Sequence, residues 1–88
     1  MRIRKIQYTS KFKRRFKKLP KDIQHKAIKR EKLFRKNPLN TKLRTHKLKE
    51  KLKNYHSFSI DTPYRIVFSL EVQKTVTFID VGNHSIYK

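Results

Sequence analysis

Apolar positions change their period along this chain, and the changes mark out its elements. Ile3, Ile6 and Tyr8 alternate only in part, which predicts a short first strand. Phe12, Phe16 and Leu19 then recur at i, i+4 and i+7, the spacing of one helix face. Lys11, Lys13, Arg14, Arg15, Lys17 and Lys18 occupy the other faces. Thr9-Ser10 precedes this run, and the Ser10 hydroxyl is the expected acceptor for an orphan N–H of the first turn. Pro20 either ends that helix or opens the next. Ile23, Ala27, Arg30/Glu31 and Phe34, widened by Ile28 and Leu33, predict a second helix. It should close near Asn37-Pro38, because the residue before proline is pushed out of the α region. Two helices joined at Pro20 read as an antiparallel hairpin. Neither is amphipathic enough to stand alone, so both need a sheet on which to bury Phe12, Phe16 and Phe34.

From residue 39 to 53 the leucines Leu39, Leu43, Leu48 and Leu52 are scattered among cations, a turn or loose coil leading into a strand. Tyr55 to Ile60 alternates, with Tyr55, Ser57 and Ser59 set against His56, Phe58 and Ile60. Asp61-Thr62-Pro63 is a turn, and Tyr64 to Leu70 is a second β run. Glu71 to Lys74 makes another turn, although it contains no glycine, and Val76 to Val81 follows as a third run. Ile86-Tyr87 adds a short last strand. The predicted fold is α+β. An N-terminal strand and a two-helix hairpin precede an antiparallel meander of three to four strands, as one domain over residues 1–88.

Charge alters this picture more than any other property. Twenty-five Lys and Arg against six Asp and Glu give a formal net charge of +19. Twenty-two of those cations lie in residues 1–53, and only Arg65, Lys74 and Lys88 follow. A surface of this kind attracts polyanions, with nucleic acid the first candidate and an acidic protein the second. A membrane partner is not expected, because no apolar run approaches a span and no long amphipathic helix has a wide apolar face. The chain has no cysteine, which rules out disulfides and thiolate metal sites. A soluble, cytoplasmic protein is expected, without cofactor or metal.

Two stretches carry the chemistry. The tract His46-Lys47-Leu48-Lys49-Glu50-Lys51-Leu52-Lys53-Asn54-Tyr55-His56-Ser57-Phe58-Ser59-Ile60 runs towards the strand Tyr64-Arg65-Ile66-Val67-Phe68. Asp80-Val81-Gly82-Asn83-His84 leads out of the third β run. In these residues, and in its order of elements, the chain resembles the RelE/ParE toxin superfamily, and within it the YafQ, YoeB and RelE type of mRNA interferase. The resemblance covers nearly the whole chain. It implies the RelE-like fold and the toxin of a type II toxin–antitoxin system. That toxin would be a metal-independent endoribonuclease that enters the ribosomal A site, cleaves mRNA there and is silenced by a cognate, acidic antitoxin. The ParE branch instead implies a non-enzymatic poison of DNA gyrase. A basic RNA-binding module without catalysis is the third reading. The sequence departs from many relatives at Glu50 and Asn54, where they carry glycine. Ser57 and Ser59 stand where YafQ-type enzymes have a paired Asp and His.

The resemblance also distributes roles. RNA cleavage through the 2′-hydroxyl needs a base, a cation for the phosphorane and an acid for the leaving 5′-oxygen. Histidine suits both proton roles, with an unperturbed pKa near 6.5. His46 falls where relatives carry a Glu or His near the scissile phosphate, and His84 matches the Gly-X-His ending. Which is acid and which base stays open. Arg65 falls where relatives place the phosphate-binding arginine, and its fork suits a bidentate grip. Tyr87 either stacks a base or donates a proton, or simply closes the core. Lys47, Lys49, Lys51 and Lys53 alternate along the tract and, if extended, form a rail for an RNA backbone. Lys11, Arg14, Arg15 and Lys18 form a second candidate RNA surface on the first helix. His56 is a weaker candidate for stacking on a nucleotide. The plain alternatives are a loop histidine at 46, a strand-end histidine at 84 and a solvated sheet arginine at 65.

Overall fold

Strand β1 (Lys5–Tyr8) is followed by helices α1 (Ser10–Lys17) and α2 (Lys21–Lys36). Strands β2 (His46–Lys47), β3 (His56–Ser59), β4 (Tyr64–Leu70) and β5 (Thr75–Asn83) follow among the described residues. The computed structural model describes residues 2–48 and 55–83. The strands form one sheet in the order β1-β5-β4-β3-β2. Strands β3 to β5 are the expected antiparallel meander. Two edge strands bring the sheet to five: β1 pairs parallel to β5, and the two-residue β2 adds to β3. The expected strand at Ile86-Tyr87 lies outside the described residues.

The helical stripes face one side of this sheet. From α2, Phe34 enters a nest of rings, with centroids 4.7 Å from Phe58, 4.8 Å from Phe68 and 5.6 Å from Phe78. From α1, Phe12 packs 5.4 Å from Phe78. Ile23, Ala27, Ile60, Ile66, Val76 and Val81 complete this core. The cap of α1 is one residue earlier than Ser10. The Thr9 Oγ1 accepts from the Phe12 N–H at 3.0 Å and donates to the Ile79 carbonyl at 2.8 Å, so the cap also fastens the helix to β5. A serine at 10 is already helical and has lost that geometry. Pro20 caps α2 without a side-chain bond. The corner is closed instead by Gln24, whose amide donates to the carbonyls of Phe16, Lys17 and Leu19.

One irregularity sets the register of the site. Val67 pairs with Asp80 but Phe68 pairs with Phe78, so β5 carries the extra residue Ile79. Strict alternation from Val76 and Phe78 would send Asp80 into the core. The bulge advances the pattern by one, so that Val81 turns inward opposite Ile66 and Gly82 falls opposite Arg65. Asp80 instead meets α1, with Lys11 Nζ at 3.3 Å and Arg15 Nε at 3.5 Å. The turn between β4 and β5 does without glycine by placing Gln73 and Lys74 in the left-handed region, at φ 57° and 59°.

Candidate functional site

Alternation along β3 and β4 puts Phe58, Ile66 and Phe68 on the core side and Ser57 and Arg65 on the other. Ser57 is fully buried there. Arg65 lies across the hairpin from Ser59, and its guanidinium reaches diagonally to Ser57, where Nε donates to Oγ at 3.2 Å. Nη2 donates to the Arg44 carbonyl at 3.0 Å and lies 3.3 Å from His46 Nδ1. His46 enters this group because β2 pairs it with Ser57. Three residues from three segments thus hold one cation in one orientation.

Arg44 makes the arrangement possible through its backbone. It ends the 3-10 turn Thr41–Leu43 in the left-handed conformation, at φ 50° and ψ 46°. A residue with a Cβ adopts that region at a cost of order 1 kcal/mol. The carbonyl so placed meets both Arg65 Nη2 and His46 Nδ1, the latter at 3.1 Å. The 3-10 turn is fixed in turn by Arg30, whose Nη1 donates to the Lys42 carbonyl at 2.7 Å, and by Leu43, which is fully buried.

The His46 ring has two tautomers in this setting. A proton on Nδ1 donates to the Arg44 carbonyl and leaves the Nε2 lone pair as an acceptor. A proton on Nε2 makes Nδ1 the acceptor for Arg65 and Nε2 a donor. His46 is exposed, and Nε2 has no partner among the described residues. The ring is therefore equipped for proton transfer in either direction, beside a fixed guanidinium.

Gly82, the chain's one glycine, sits opposite Arg65 in the β4–β5 ladder. Its φ is not positive, so the backbone does not require glycine there. What glycine provides is the absence of a side chain beside Arg65, where another group can approach closely.

Of the proposed site residues, Arg65 and His46 are brought together. Ser57 and the Arg44 carbonyl complete the cluster, and neither is among the site residues expected from the sequence. The signal for Ser57 was its even spacing from Arg65 across a tight turn. Lys47 is exposed on β2. Arg14 on α1 and Lys18 at its C-cap are exposed and form no ion pair among the described residues, whereas Lys11 and Arg15 are partly engaged by Asp80. Arg15 and Lys18 border a hollow with Tyr64, Gly82 and Asn83, so this basic face reaches the end of β5 next to Arg65. His84, Tyr87, Lys49, Lys51, Lys53 and Glu50 lie outside the described residues. His56 is partly buried, on the face of β3 that carries Phe58. Its ring stacks on Phe68 with centroids 5.5 Å apart, and its Nδ1 is buried without a partner among the described residues. Burial, then Lys47 and His46, hold its pKa below the ordinary value.

The family model of the bacterial toxin of type II toxin–antitoxin systems, YafQ, matches residues 4–87. The chain belongs to the YafQ toxin family. That places it in the RelE/ParE superfamily, and the fold agrees. The YoeB/ParE toxin from Agrobacterium tumefaciens superposes with a TM-score of 0.79 at 15% identity, over 92% of this chain and 99% of that one. The Escherichia coli DinJ–YafQ toxin–antitoxin complex gives 0.76 at 19% identity, over 98% and 97%. The archaeal RelE–RelB complex from Pyrococcus horikoshii gives 0.73 at 15% identity, over 94% and 96%. No curated protein sequence matches the chain significantly. YafQ-family membership makes the chain a type II toxin. At these identities the structural neighbours speak for the fold alone. The site must be argued from its own residues.

Proposed function

We propose that this YafQ-family toxin is a metal-independent endoribonuclease that cleaves mRNA in the ribosomal A site. The observation that carries the reading is the Arg65 guanidinium. It is held by Ser57 and the Arg44 carbonyl, with its Nη2 3.3 Å from His46 Nδ1, and it faces side-chain-free Gly82. A fixed cation beside a proton-transfer group is what in-line attack on a phosphodiester requires.

In the proposed reaction the RNA 2′-oxygen attacks the adjacent phosphorus while its proton passes to the base. Arg65 takes the charge that accumulates on the non-bridging oxygens. The bond from phosphorus to the 5′-oxygen breaks, and the acid protonates that oxygen. The products are a 2′,3′-cyclic phosphate and a 5′-hydroxyl. His46 and His84 are the proposed proton-transfer pair, with Tyr87 as a further donor or stacking surface. Lys47, Lys49, Lys51, Lys53 and the α1 residues Lys11, Arg14, Arg15 and Lys18 are proposed to hold RNA backbone through charge, which brings affinity without sequence preference.

A cognate antitoxin is the proposed protein partner, supported by the toxin–antitoxin complexes of the E. coli and P. horikoshii relatives. A net charge of +19 suits an acidic one. The cytoplasm follows as the proposed location, because ribosomes are the proposed target. Among the described residues no helix is long and apolar enough to cross a membrane.

The test is to add the purified toxin to a translating extract and map mRNA ends. New 5′-hydroxyl ends at A-site positions, absent with Arg65→Ala, are expected. Growth arrest with DNA damage and intact mRNA would instead assign the chain to gyrase poisoning.

A further inference from the structure

The cationic surface around Arg65 does not stop at the residues that orient it. An open cleft of about 370 Å³ lies between α2, the 3-10 turn and the β3–β4 turn. Arg30, Lys42 and Arg44 line it, and Arg65 forms the wall it shares with the candidate catalytic cluster. Its volume lies within the range of roughly 300–1,000 Å³ typical of small-ligand sites. One acid, Asp61, also lines it. That carboxylate is already engaged, by Lys26 Nζ at 3.0 Å and by the Thr62 N–H at 2.7 Å. The hydrogen bond from Lys26 and that from Thr62 hold its pKa below the ordinary carboxylate value. With Asp61 paired, four cations remain to set the field of the cleft.

Two of these cations are positioned through the backbone of the 3-10 turn. Arg30 is held against the 3-10 turn through its bond to the Lys42 carbonyl. Arg44 occupies a left-handed backbone position where asparagine or glycine would be the less costly choice. Its main chain orients Arg65, and its side chain lines the cleft.

We propose that this cleft is a second phosphate subsite, which seats the RNA phosphate one nucleotide away from the phosphate held by Arg65. The inference rests on the reading of Arg65 as the holder of the scissile phosphate. It adds to it the minimum substrate, a segment of RNA with two consecutive phosphates. Arg65 is common to both seats, so a strand leaving the scissile position meets Arg44 and Lys42 next. Arg30 is the inner wall.

The probes are RNA oligonucleotides with 2′-O-methyl groups throughout, which bind but cannot be cut. A dinucleotide has one phosphate and a trinucleotide has two. The variant is Lys42→Ala, which removes a cation from the cleft and leaves Arg44 and its left-handed turn in place. Binding is followed by NMR titration of the full chain at several salt concentrations. Lys42→Ala should lose about fivefold in trinucleotide affinity at low salt and leave dinucleotide affinity within twofold. Its slope of log affinity on log salt for the trinucleotide should fall by about 0.7 for the lost phosphate contact. On ribosomes, KM should rise more than kcat falls. Equal losses for both oligonucleotides, or no loss for the trinucleotide, overturn the second subsite. Dinucleotide binding unchanged by Arg65→Ala overturns the reading of Arg65 instead.

Discussion

Arg65 Nη2 stands 3.3 Å from His46 Nδ1, and both meet the same carbonyl, that of Arg44. The cation and the imidazole are thus positioned by one backbone group, and neither side chain can shift without changing the other's partner. The residues that fix this relationship come from the 3-10 turn, β2, β3 and β4, and so the pair depends on the whole hairpin.

The first consequence concerns Arg65 itself. Lysine keeps the charge but cannot reach Ser57, Arg44 and an incoming phosphate with one planar fork. Arg65→Lys should lower the rate of mRNA cleavage roughly 100-fold or more, the scale on which one transition-state donor acts. Thermal stability should fall as well, on the order of 1–3 kcal/mol, because the buried Ser57 hydroxyl loses the bond from Arg65. A cleavage assay in a translating extract, with a melting curve for the same sample, checks both. Near-normal cleavage by the lysine variant would mean that only charge is needed.

Gly82 separates function from stability more sharply. Gly82→Val puts a β-branched side chain into a strand, which should leave stability equal or higher by up to about 1 kcal/mol. The same side chain occupies the space beside Arg65, opposite it in the ladder. Cleavage should be lost while folding is intact, and Gly82→Ala should fall between. If Gly82→Val cuts RNA normally, the open space is not a substrate path.

Ser57 is buried and accepts from Arg65 Nε. Ser57→Ala removes one hydrogen bond and strands a donor of a charged group, a change on the order of 1–3 kcal/mol in stability. Cleavage should drop several-fold, because the guanidinium keeps only its hold on the Arg44 carbonyl. Ser57→Thr retains the hydroxyl and should restore part of the activity if the methyl group is accommodated. Urea denaturation and single-turnover cleavage measure the two effects separately.

Much of the sheet was legible because β4 is bounded by strong signals. Asp61-Thr62-Pro63 starts it, and its run of Ile66, Val67 and Phe68 sustains it through Leu70. The α2 stripe Ile23, Ala27 and Phe34 is buried as its spacing implied. The parallel pairing of β1 with β5 was not legible, because the partners are some seventy residues apart and no local pattern links them. The bulge at Ile79 left a trace only in the spacing of Val76, Phe78 and Val81, which goes by two and then by three. Within the site, Arg65 and His46 were found by residue type and resemblance. Ser57 belongs to the site through its register with Arg65, which residue type alone does not disclose. The Arg44 carbonyl has no sequence signature at all, since the group that acts is main chain.

His56 should make stability depend on pH. Its folded pKa is lowered from 6.5 by burial, then by Lys47, then by His46. These and Phe68 are what the ring faces on β2 and β4. A lowered histidine pKa means that the unfolded chain binds the proton first. Stability is therefore full above about pH 6.5 and is lost as pH falls from there towards the folded value. His56→Phe keeps the stack on Phe68 and removes the titration. The variant should show a flatter stability profile between pH 7 and 5 by chemical denaturation, and equal slopes in the two proteins would rule the contribution out.

At the opposite end of the scale, Tyr8 links β1 to α2 by donating its hydroxyl proton to the Glu31 carboxylate. Burial first, and then the bond to Glu31, push its pKa up to about 12. Here the folded state holds the proton more tightly than the unfolded one, whose tyrosine titrates near 10. The contribution is complete below pH 10 and is lost as pH rises through about 12. Ultraviolet titration of the four tyrosines should resolve one late component. Tyr8→Phe should abolish that component and reduce the fall in stability between pH 10 and 12, while Glu31 keeps its pairing with Arg35 at 3.5 Å. A late component that survives in Tyr8→Phe would belong to another tyrosine, and the link between β1 and α2 would then not depend on this proton.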